Sequence, residues 1–379
     1  MTGIDPEQRK RVLHVINGEH YAGAERVQDL LADELPEHGY EVGFACLKPG
    51  IFPDKRHSSR APLYALPMSS GRDFRVVLEL ARLVRKENYR LIHTHTVRGA
   101  MVGQVAATLT GVPMVHHVHS PSARDTESTW RNHRNAFVER ASLVRARRLI
   151  TVSDSLRHYL VSRGYGEKRI RVVCNGVPML EKTRAPLCRG ETLTLGTVAL
   201  FRPRKGLEVL LDALGHLRKT GMDVRLLAIG PFETEGYEAS VRLKLQRDGL
   251  EDHVTFVGFT QTVAAHFRQM HVFVLPSLFG EGMPMVVLEA MAAGLPVIST
   301  QVEGIPEVIH DGREGLLVEP GSASQLASAI ARIGNGDVDA GRMGDAARCR
   351  QQSVYSTRAM AAGVASVYDE MFKPGGLAA

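Results

Sequence analysis

Short runs of β-branched residues alternate with longer helical patterns along almost the whole chain, and this alternation limits the fold more than any other feature. In the first half the runs fall at Val12–Ile16, Glu41–Leu47, Leu91–His95, Met114–His119, Leu149–Val152 and Arg171–Cys174. In the second they fall at Leu195–Ala199, Arg225–Gly230, Val254–Val257, Val272–Leu275, Pro296–Ser299 and Gly315–Val318. Helical patterns such as Glu25–Glu37 and Arg75–Lys86 lie between them. Strand, helix, strand in this rhythm gives βαβ units and parallel sheets covered by helices on both faces. With 379 residues, the chain exceeds what one hydrophobic core usually serves, so two doubly wound α/β domains are expected.

The periodic pattern breaks at Pro178–Gly190. The expected division is therefore a first domain over 1–178, a linker over 179–190 and a second domain over 191–355. A helix over 356–373 is expected to cross back to the first domain, ahead of a flexible tail at 374–379. No run of about 18 apolar residues is present to span a membrane. The opening MTGIDPEQRK lacks the apolar stretch of a secretion signal, so a cytoplasmic location is expected. Cys46, Cys174, Cys188 and Cys349 are scattered with no Cys-x-x-Cys pair, which suits thiols in a reducing compartment.

Charge is uneven. Residues 1–180 carry 27 Lys and Arg against 18 Asp and Glu, a balance of +9; residues 181–379 carry 20 against 23, a balance of −3. A basic half suits an anionic surface or an acidic substrate. Aromatic residues make up only 6% of the chain and do not interleave with the basic ones, which argues against nucleic acid. On a helical wheel, Arg134–Arg148 sets Phe137, Ala141 and Val144 in an apolar stripe between Arg134 and Arg145 on one side and Arg140 and Arg147 on the other. The pattern fits a helix lying in lipid headgroups, and equally one packed on the sheet with its arginines in water.

Ligands of open parallel sheets bind outside the carboxyl ends of the strands, so chemistry is sought in those loops. The most informative runs from Pro276 through Ser-Leu-Phe-Gly-Glu281-Gly-Met-Pro284 and Glu289 to Gly294-Leu-Pro296. It leaves a strand, turns at glycines and enters a helix at about Pro284, with Gly294 and Pro296 as the stop. Free amides at a helix start favour phosphate, and a carboxylate there can accept two hydroxyl hydrogen bonds. Taken alone, Glu281 serves equally as an N-terminal cap. The loop Leu200-Phe-Arg202-Pro-Arg204-Lys205-Gly206 offers cations after the strand that opens the second domain. Cations there are either a solvated loop or a clamp on a leaving diphosphate. Tyr21-Ala-Gly23-Ala-Glu25 follows the first strand, where a glycine admits a close ligand.

His93, His95, His116, His117 and His119 gather at two strand ends, with His117 and His119 on one face and His116 on the other. Imidazoles are common metal ligands, but no acidic residue has matching spacing and no metal is expected. Gly-x-Gly-x-x-Gly and Gly-x4-Gly-Lys are both absent, against a nicotinamide enzyme and a phosphate-loop nucleotidase. Asp337-Val-Asp339 sits in a Gly-rich stretch and reads as a solvated loop.

Glu281 and Glu289, with seven residues between them, resemble the Glu-x7-Glu signature of retaining glycosyltransferases of family 4, whose fold is two facing Rossmann-like domains (GT-B) around an interdomain cleft. The segments Val302-Glu-Gly304-Ile-Pro306-Glu307 and Asp311-Gly312-Arg-Glu-Gly315 are similar to what that family carries next. The resemblance implies a hexose-type transfer from a nucleoside diphosphate sugar, a UDP- or GDP-hexose, to a sugar or lipid-linked acceptor. It also implies retention of configuration and no metal or other cofactor. It places Glu281 on hydroxyls of the donor sugar, Glu289 on the ribose, Arg202 and Lys205 on the diphosphate, and His119 beside the transferred sugar. With Gly23, Gly282, Met283, Met285 and Val286, these form the expected donor site; His119, Glu281, Arg202 and Lys205 are the expected catalytic set, with Arg204 the competitor to Arg202. The chain departs from the family at Ala22 and at Glu281-Gly-Met-Pro284-Met, where Pro284 lacks an amide. Phe201-Arg-Pro-Arg-Lys-Gly206 and Glu281-Gly-Met-Pro284 further resemble transferases of bacterial exopolysaccharide assembly. The +9 balance of residues 1–180 and the segment Arg134–Arg148 are what point to the inner face of the plasma membrane, where a lipid-linked acceptor would be presented. The rival readings are a nucleotide-sugar epimerase of the same fold, which needs no acceptor, and a non-catalytic sugar-nucleotide sensor.

Overall fold

The computed structural model describes residues 9–69, 73–120, 140–182 and 191–373. The chain divides into two compact units, Met1–Gly176 with Thr357–Ala379, and Val177–Ser356. Residues 183–190 and 374–379, in the expected linker and tail, lie outside the described residues, as does Cys188.

The first unit is built on seven strands: β1 (Lys10–Ile16), β2 (Tyr40–Cys46), β3 (Leu63–Ala65), β4 (Leu91–Thr94), β5 (Met114–Val118), β6 (Arg148–Thr151) and β7 (Ile170–Val172). They pair in parallel in the order β3-β2-β1-β4-β5-β6-β7. The second unit has six: β8 (Leu193–Val198), β9 (Val224–Ile229), β10 (Val254–Gly258), β11 (Val272–Leu275), β12 (Val297–Thr300) and β13 (Gly315–Val318). Their order, β10-β9-β8-β11-β12-β13, is again all parallel. Each sheet is thus wound outward from its first strand and then resumed on the other side. The reversal leaves a crevice between β1 and β4 in one unit and between β8 and β11 in the other, where doubly wound sheets bind ligands.

Helices on both faces explain why the strands read as unbroken apolar runs. Phe74–Lys86 buries Val76, Val77, Leu80, Ala81 and Val84, the three- and four-residue spacing of a single face. Leu207–Lys219 buries Leu207, Leu210, Leu211, Leu214 and Leu217 in the core of the second unit. The expected helix Glu25–Glu37 runs instead from Gly23 to Glu34, and a 3-10 turn follows at Leu35–His38. Pro36 cannot supply the amide that continues an α-helix, and Gly39 closes the turn at φ 84°. Asp339 caps the helix Ala340–Val354 by accepting from Arg342 N at 2.9 Å, which gives this carboxylate a structural task.

The helix Thr357–Phe372 belongs to the first unit. It buries Met360, Ala361, Val364, Ala365, Val367, Tyr368 and Met371. Thr357 bonds Glu34 at 2.6 Å, Tyr40 donates to Asp369 at 2.5 Å, and Glu370 accepts from Arg148 at 2.7 Å and Arg171 at 2.8 Å.

The amphipathic helix expected over Arg134–Arg148 is corrected. Residues 134–139, including Phe137, lie outside the described residues, and beyond them the chain is helical only through Ser142 before it turns. Val144 is 66% exposed, Arg140 donates to the Arg163 carbonyl at 2.9 Å, and Arg169 holds the turn by donating to the Leu143 carbonyl at 2.9 Å. The turn takes Val144, Arg145 and Arg147 off any common helical face with Ala141. Among the described residues no helix is long and apolar enough to cross a membrane.

Candidate functional site

Three loops at the carboxyl ends of β8, β11 and β12 meet at the reversal point of the second sheet. The loop after β8 makes a 3-10 turn at Pro203–Lys205 and closes at Gly206. Gly206 has φ +68° and lies so near β11 that an added Cβ would stand 2.0 Å from the Pro276 carbonyl oxygen, so only glycine fits. Leu278 N donates to the Arg204 carbonyl at 2.8 Å, which ties this loop to the one after β11.

The result is a buried charge cluster. The Lys205 ammonium donates to Oε1 of Glu281, Ser277 Oγ donates to the same oxygen at 2.6 Å, and Arg204 Nη1 lies 3.8 Å from it. Among the described residues, the contacts of this carboxylate with Lys205, Ser277 and Arg204 all fall on Oε1. Burial raises the tendency of Glu281 to stay protonated, but Lys205, Ser277 and Arg204 outweigh it and hold the acid below its usual range. Burial pulls Lys205 downward, and Glu281 offsets part of that. The pair is ionised, and one carboxylate stands against two cations.

Arg204 also donates to the carbonyls of Phe279 at 3.2 Å and Gly280 at 3.1 Å, so it braces the loop that carries Glu281. Arg202 turns away to Glu233, at 3.3 Å. Arg204, rather than Arg202, is therefore the arginine beside Glu281. From the loop after β12, Glu303 accepts from Gly280 N at 2.9 Å and Glu281 N at 3.2 Å, while Gly304 N donates to the Glu281 carbonyl at 3.1 Å. Neither Ser277 nor Glu303 was singled out in the sequence. Glu303 stands at φ 34°, an uncommon backbone for a non-glycine residue.

The following helix spans Met285–Ala292, with Pro284 as its N-cap rather than its first helical residue. Pro284 therefore costs the helix none of its own amides. Met285 and Val286 carry the first helical N–H groups, which have no partner one turn earlier. Gly282 and Met283 lie in the bend before it, both buried, and Glu289 is buried in the helix body.

The remaining expected residues lie in the first unit. Gly23 is exposed and opens the helix Gly23–Glu34 beyond β1. His119 follows β5 and is half-buried. His117 and His119 stack with ring centroids 4.3 Å apart, and His116, facing the other way, lies 2.8 Å from the Thr94 hydroxyl. His14, His93 and His95 have ligand nitrogens within 4.8 Å of one another, as do His95, His117 and His119. Neither group includes a carboxylate.

The same segments carry the family match. Residues 21–179 match the family described as Glycosyltransferase Family 4, and residues 192–335 match Glycosyl transferases group 1. The chain belongs to glycosyltransferase family 4. A putative colanic acid biosynthesis glycosyltransferase, WcaL of Salmonella typhimurium, is 31% identical over 64% of this chain and 58% of its own length. A phosphatidyl-myo-inositol mannosyltransferase of Mycobacterium leprae is 34% identical over 50% of each chain. The match thus spans little more than half the length of these two relatives. The UDP-Gal:alpha-D-GlcNAc-diphosphoundecaprenol alpha-1,3-galactosyltransferase of Escherichia coli is matched more fully, at 25% identity over 85% of this chain and 87% of that one. Among solved structures, Anabaena HepE in complex with UDP-glucose superposes with a TM-score of 0.84 at 20% identity, over 95% of this chain and 99% of that one. This likeness shows the GT-B fold.

Proposed function

We propose that the chain transfers a hexose-type sugar from a nucleoside diphosphate sugar to an acceptor hydroxyl with retention of configuration, in polysaccharide or glycolipid assembly. The observation that carries this reading is the meeting of Lys205, Arg204 and Glu281 at the reversal point of the second sheet, beside the first amides of Met285–Ala292. Departure of the donor diphosphate builds negative charge, and Lys205, Arg204 and the Met285 and Val286 amides are the groups suited to receive it without a metal. Glu281 Oε1 is occupied by Lys205 and Ser277, so Oε2 is the oxygen suited to a sugar hydroxyl. Glu289 takes the ribose and His119 hydrogen-bonds the transferred sugar, as the family resemblance implies. The bond from the anomeric carbon to the phosphate oxygen breaks, the bond to the acceptor oxygen forms, and the acceptor proton passes to a phosphate oxygen of the leaving group. HepE was crystallised with UDP-glucose and the Escherichia coli relative is named for UDP-Gal, which supports a UDP-hexose as donor.

A lipid-linked acceptor would be met at an anionic membrane surface on the cytoplasmic side. The +9 balance of residues 1–180 supports this, and an exposed apolar face now replaces the corrected helix. Phe74 (77% exposed) and Leu78 lie on Phe74–Lys86, and Met101, Val105 and Leu109 are exposed on the neighbouring helix Val97–Thr110, with Arg75, Arg82 and Arg85 nearby in the chain.

The test is a thermal-shift and nucleotide-release screen over UDP- and GDP-hexoses, followed by NMR of the anomeric product. Donor-dependent stabilisation and an α-product from an α-donor are expected. An isomerised nucleotide sugar formed without acceptor would identify an epimerase instead.

A further inference from the structure

The first unit carries a file of imidazoles of which the proposed chemistry uses only the last. His14 on β1, His93 and His95 at the end of β4, and His117 and His119 at the end of β5 share one face of the sheet, with His14 in register opposite His93. Tyr368 of the C-terminal helix packs edge-on against His93 and reaches His14 and His93 with its hydroxyl. A continuous set of hydrogen bonds runs through the file. His93 Nδ1 lies 2.6 Å from the Tyr368 hydroxyl, that hydroxyl 3.1 Å from His14 Nε2, His14 Nδ1 3.2 Å from His95 Nε2, and His95 Nδ1 3.1 Å from His119 Nε2.

Burial holds these rings neutral, and Tyr368 is likewise kept protonated. A neutral imidazole has one N–H and one lone pair, so a ring bonded at both nitrogens donates with one and accepts with the other. His14 and His95 are bonded in this way. Their tautomers are therefore locked together. The buried Tyr368 proton has His93 Nδ1 and His14 Nε2 as its acceptors and must go to one of them, so only two assignments make all four bonds and also use that proton, one the reverse of the other. The inner end chooses between them. His93 Nε2 is buried and has no partner among the described residues. A buried N–H left unpaired is the rarer and costlier defect, so the proton belongs on Nδ1, where it donates to Tyr368. Tyr368 then donates to His14 Nε2, His14 Nδ1–H to His95 Nε2, and His95 Nδ1–H to His119 Nε2.

We propose that Tyr368, His14 and His95 are positioning residues that hold His119 as the Nδ1–H tautomer, making it a hydrogen-bond donor to an oxygen of the sugar substrate. The substrate half of this statement rests on the reading of His119 given above; the tautomer half does not. The relay also separates His95 and His119 from metal binding, since a metal would need the lone pairs of the nitrogens that the relay engages. His117 flanks the file, stacked on His93 at 5.5 Å, with both ring nitrogens buried and without a partner among the described residues.

The test uses the full-length protein labelled with 15N-histidine and long-range proton–nitrogen correlation spectra, with rings assigned by single His→Gln changes. His119 should show a protonated Nδ1 and an unprotonated Nε2, and Tyr368→Phe should turn it into a mixture of tautomers. A protonated Nε2 in the wild type, a His119 indifferent to Tyr368→Phe, or stoichiometric Zn2+ uptake that shifts His95, His117 and His119 together would overturn the relay. With a donor that turns over, Tyr368→Phe should lower kcat about threefold to tenfold, the loss of one hydrogen bond, at unchanged donor KM. The change should have no further effect in His119→Ala. An equal loss in both backgrounds would make Tyr368 merely structural and defeat the proposal. Absence of any transfer would count against the reading of His119 as a sugar contact, while the spectra still decide the relay.

Discussion

Lys205, on the loop after β8, donates a hydrogen bond to Oε1 of Glu281, on the loop after β11, and the two strands are neighbours across the point where the winding of the second sheet reverses. A buried pair of this kind is costly to desolvate and weak evidence of stability in itself. Its placement is what matters. Glu281 holds Lys205 charged and in place at the crevice a parallel sheet offers to phosphate, and in the proposed function a donor diphosphate would compete for the same ammonium.

Glu281→Gln should therefore separate binding from chemistry. Removing a negative charge from beside Lys205 and Arg204 should leave nucleoside diphosphate affinity unchanged or tighter, while kcat falls. Glu289→Ala should chiefly weaken nucleotide binding. Titration calorimetry with UDP, beside kinetics, checks both; weaker UDP binding by Glu281→Gln would count against the arrangement.

Lys205→Ala should lose on the order of a hundredfold or more in rate, about 2.7–4 kcal/mol of transition-state stabilisation. It should also lower the melting temperature, because Glu281 would stay buried with only Ser277 and Arg204. Arg204→Ala should be more damaging than Arg202→Ala, since Arg204 braces the Phe279 and Gly280 carbonyls and Arg202 pairs with Glu233. Rates measured below the melting point of each variant test this order, and the reverse order contradicts it.

The histidine file should make the fold acid-sensitive. Burial pushes His14 and His116 down to about 3, and His93, His95 and His117 well below their ordinary value. In the unfolded chain they take protons near pH 6.5, so between that pH and about 3 the unfolded state binds more protons and stability falls as pH falls. Each group contributes up to about 1.4 kcal/mol per pH unit, so the group together can exhaust the stability of a domain within one or two units. Denaturant midpoints from pH 8 to 5 should drop steeply, and His14→Gln should reduce the slope. A flat profile would mean these rings are not buried neutral.

Sedimentation with vesicles tests the exposed apolar face. Binding to phosphatidylserine-rich vesicles should weaken with salt and fall in a Phe74→Ser, Leu78→Ser, Met101→Ser variant. Equal binding to neutral vesicles, or indifference to the triple change, would remove the membrane reading.

The sheets were legible because parallel strands buried on both faces leave apolar runs that need no partner to be seen. β3 was not: Leu63–Ala65 is three residues long, half-buried, on the edge of the sheet and flanked by prolines. Glu281 and Lys205, which the structure brings together, stood out in the sequence because motif and strand end coincide. Glu303 and Ser277 act through contacts between loops, set by how β11 and β12 lie side by side, and carry no spacing of their own. The arginine register was decided by the turn Pro203–Lys205, which sends Arg202 and Arg204 in different directions. Tyr368 is 354 residues from His14, and no local pattern joins them.

The most direct test of the account is calorimetric titration of UDP and GDP into the wild type, Lys205→Ala and Glu289→Ala. One site for a nucleoside diphosphate is expected, weakened about tenfold or more by either substitution, as for the loss of a charged hydrogen bond. Binding as tight in both variants as in the wild type would contradict it.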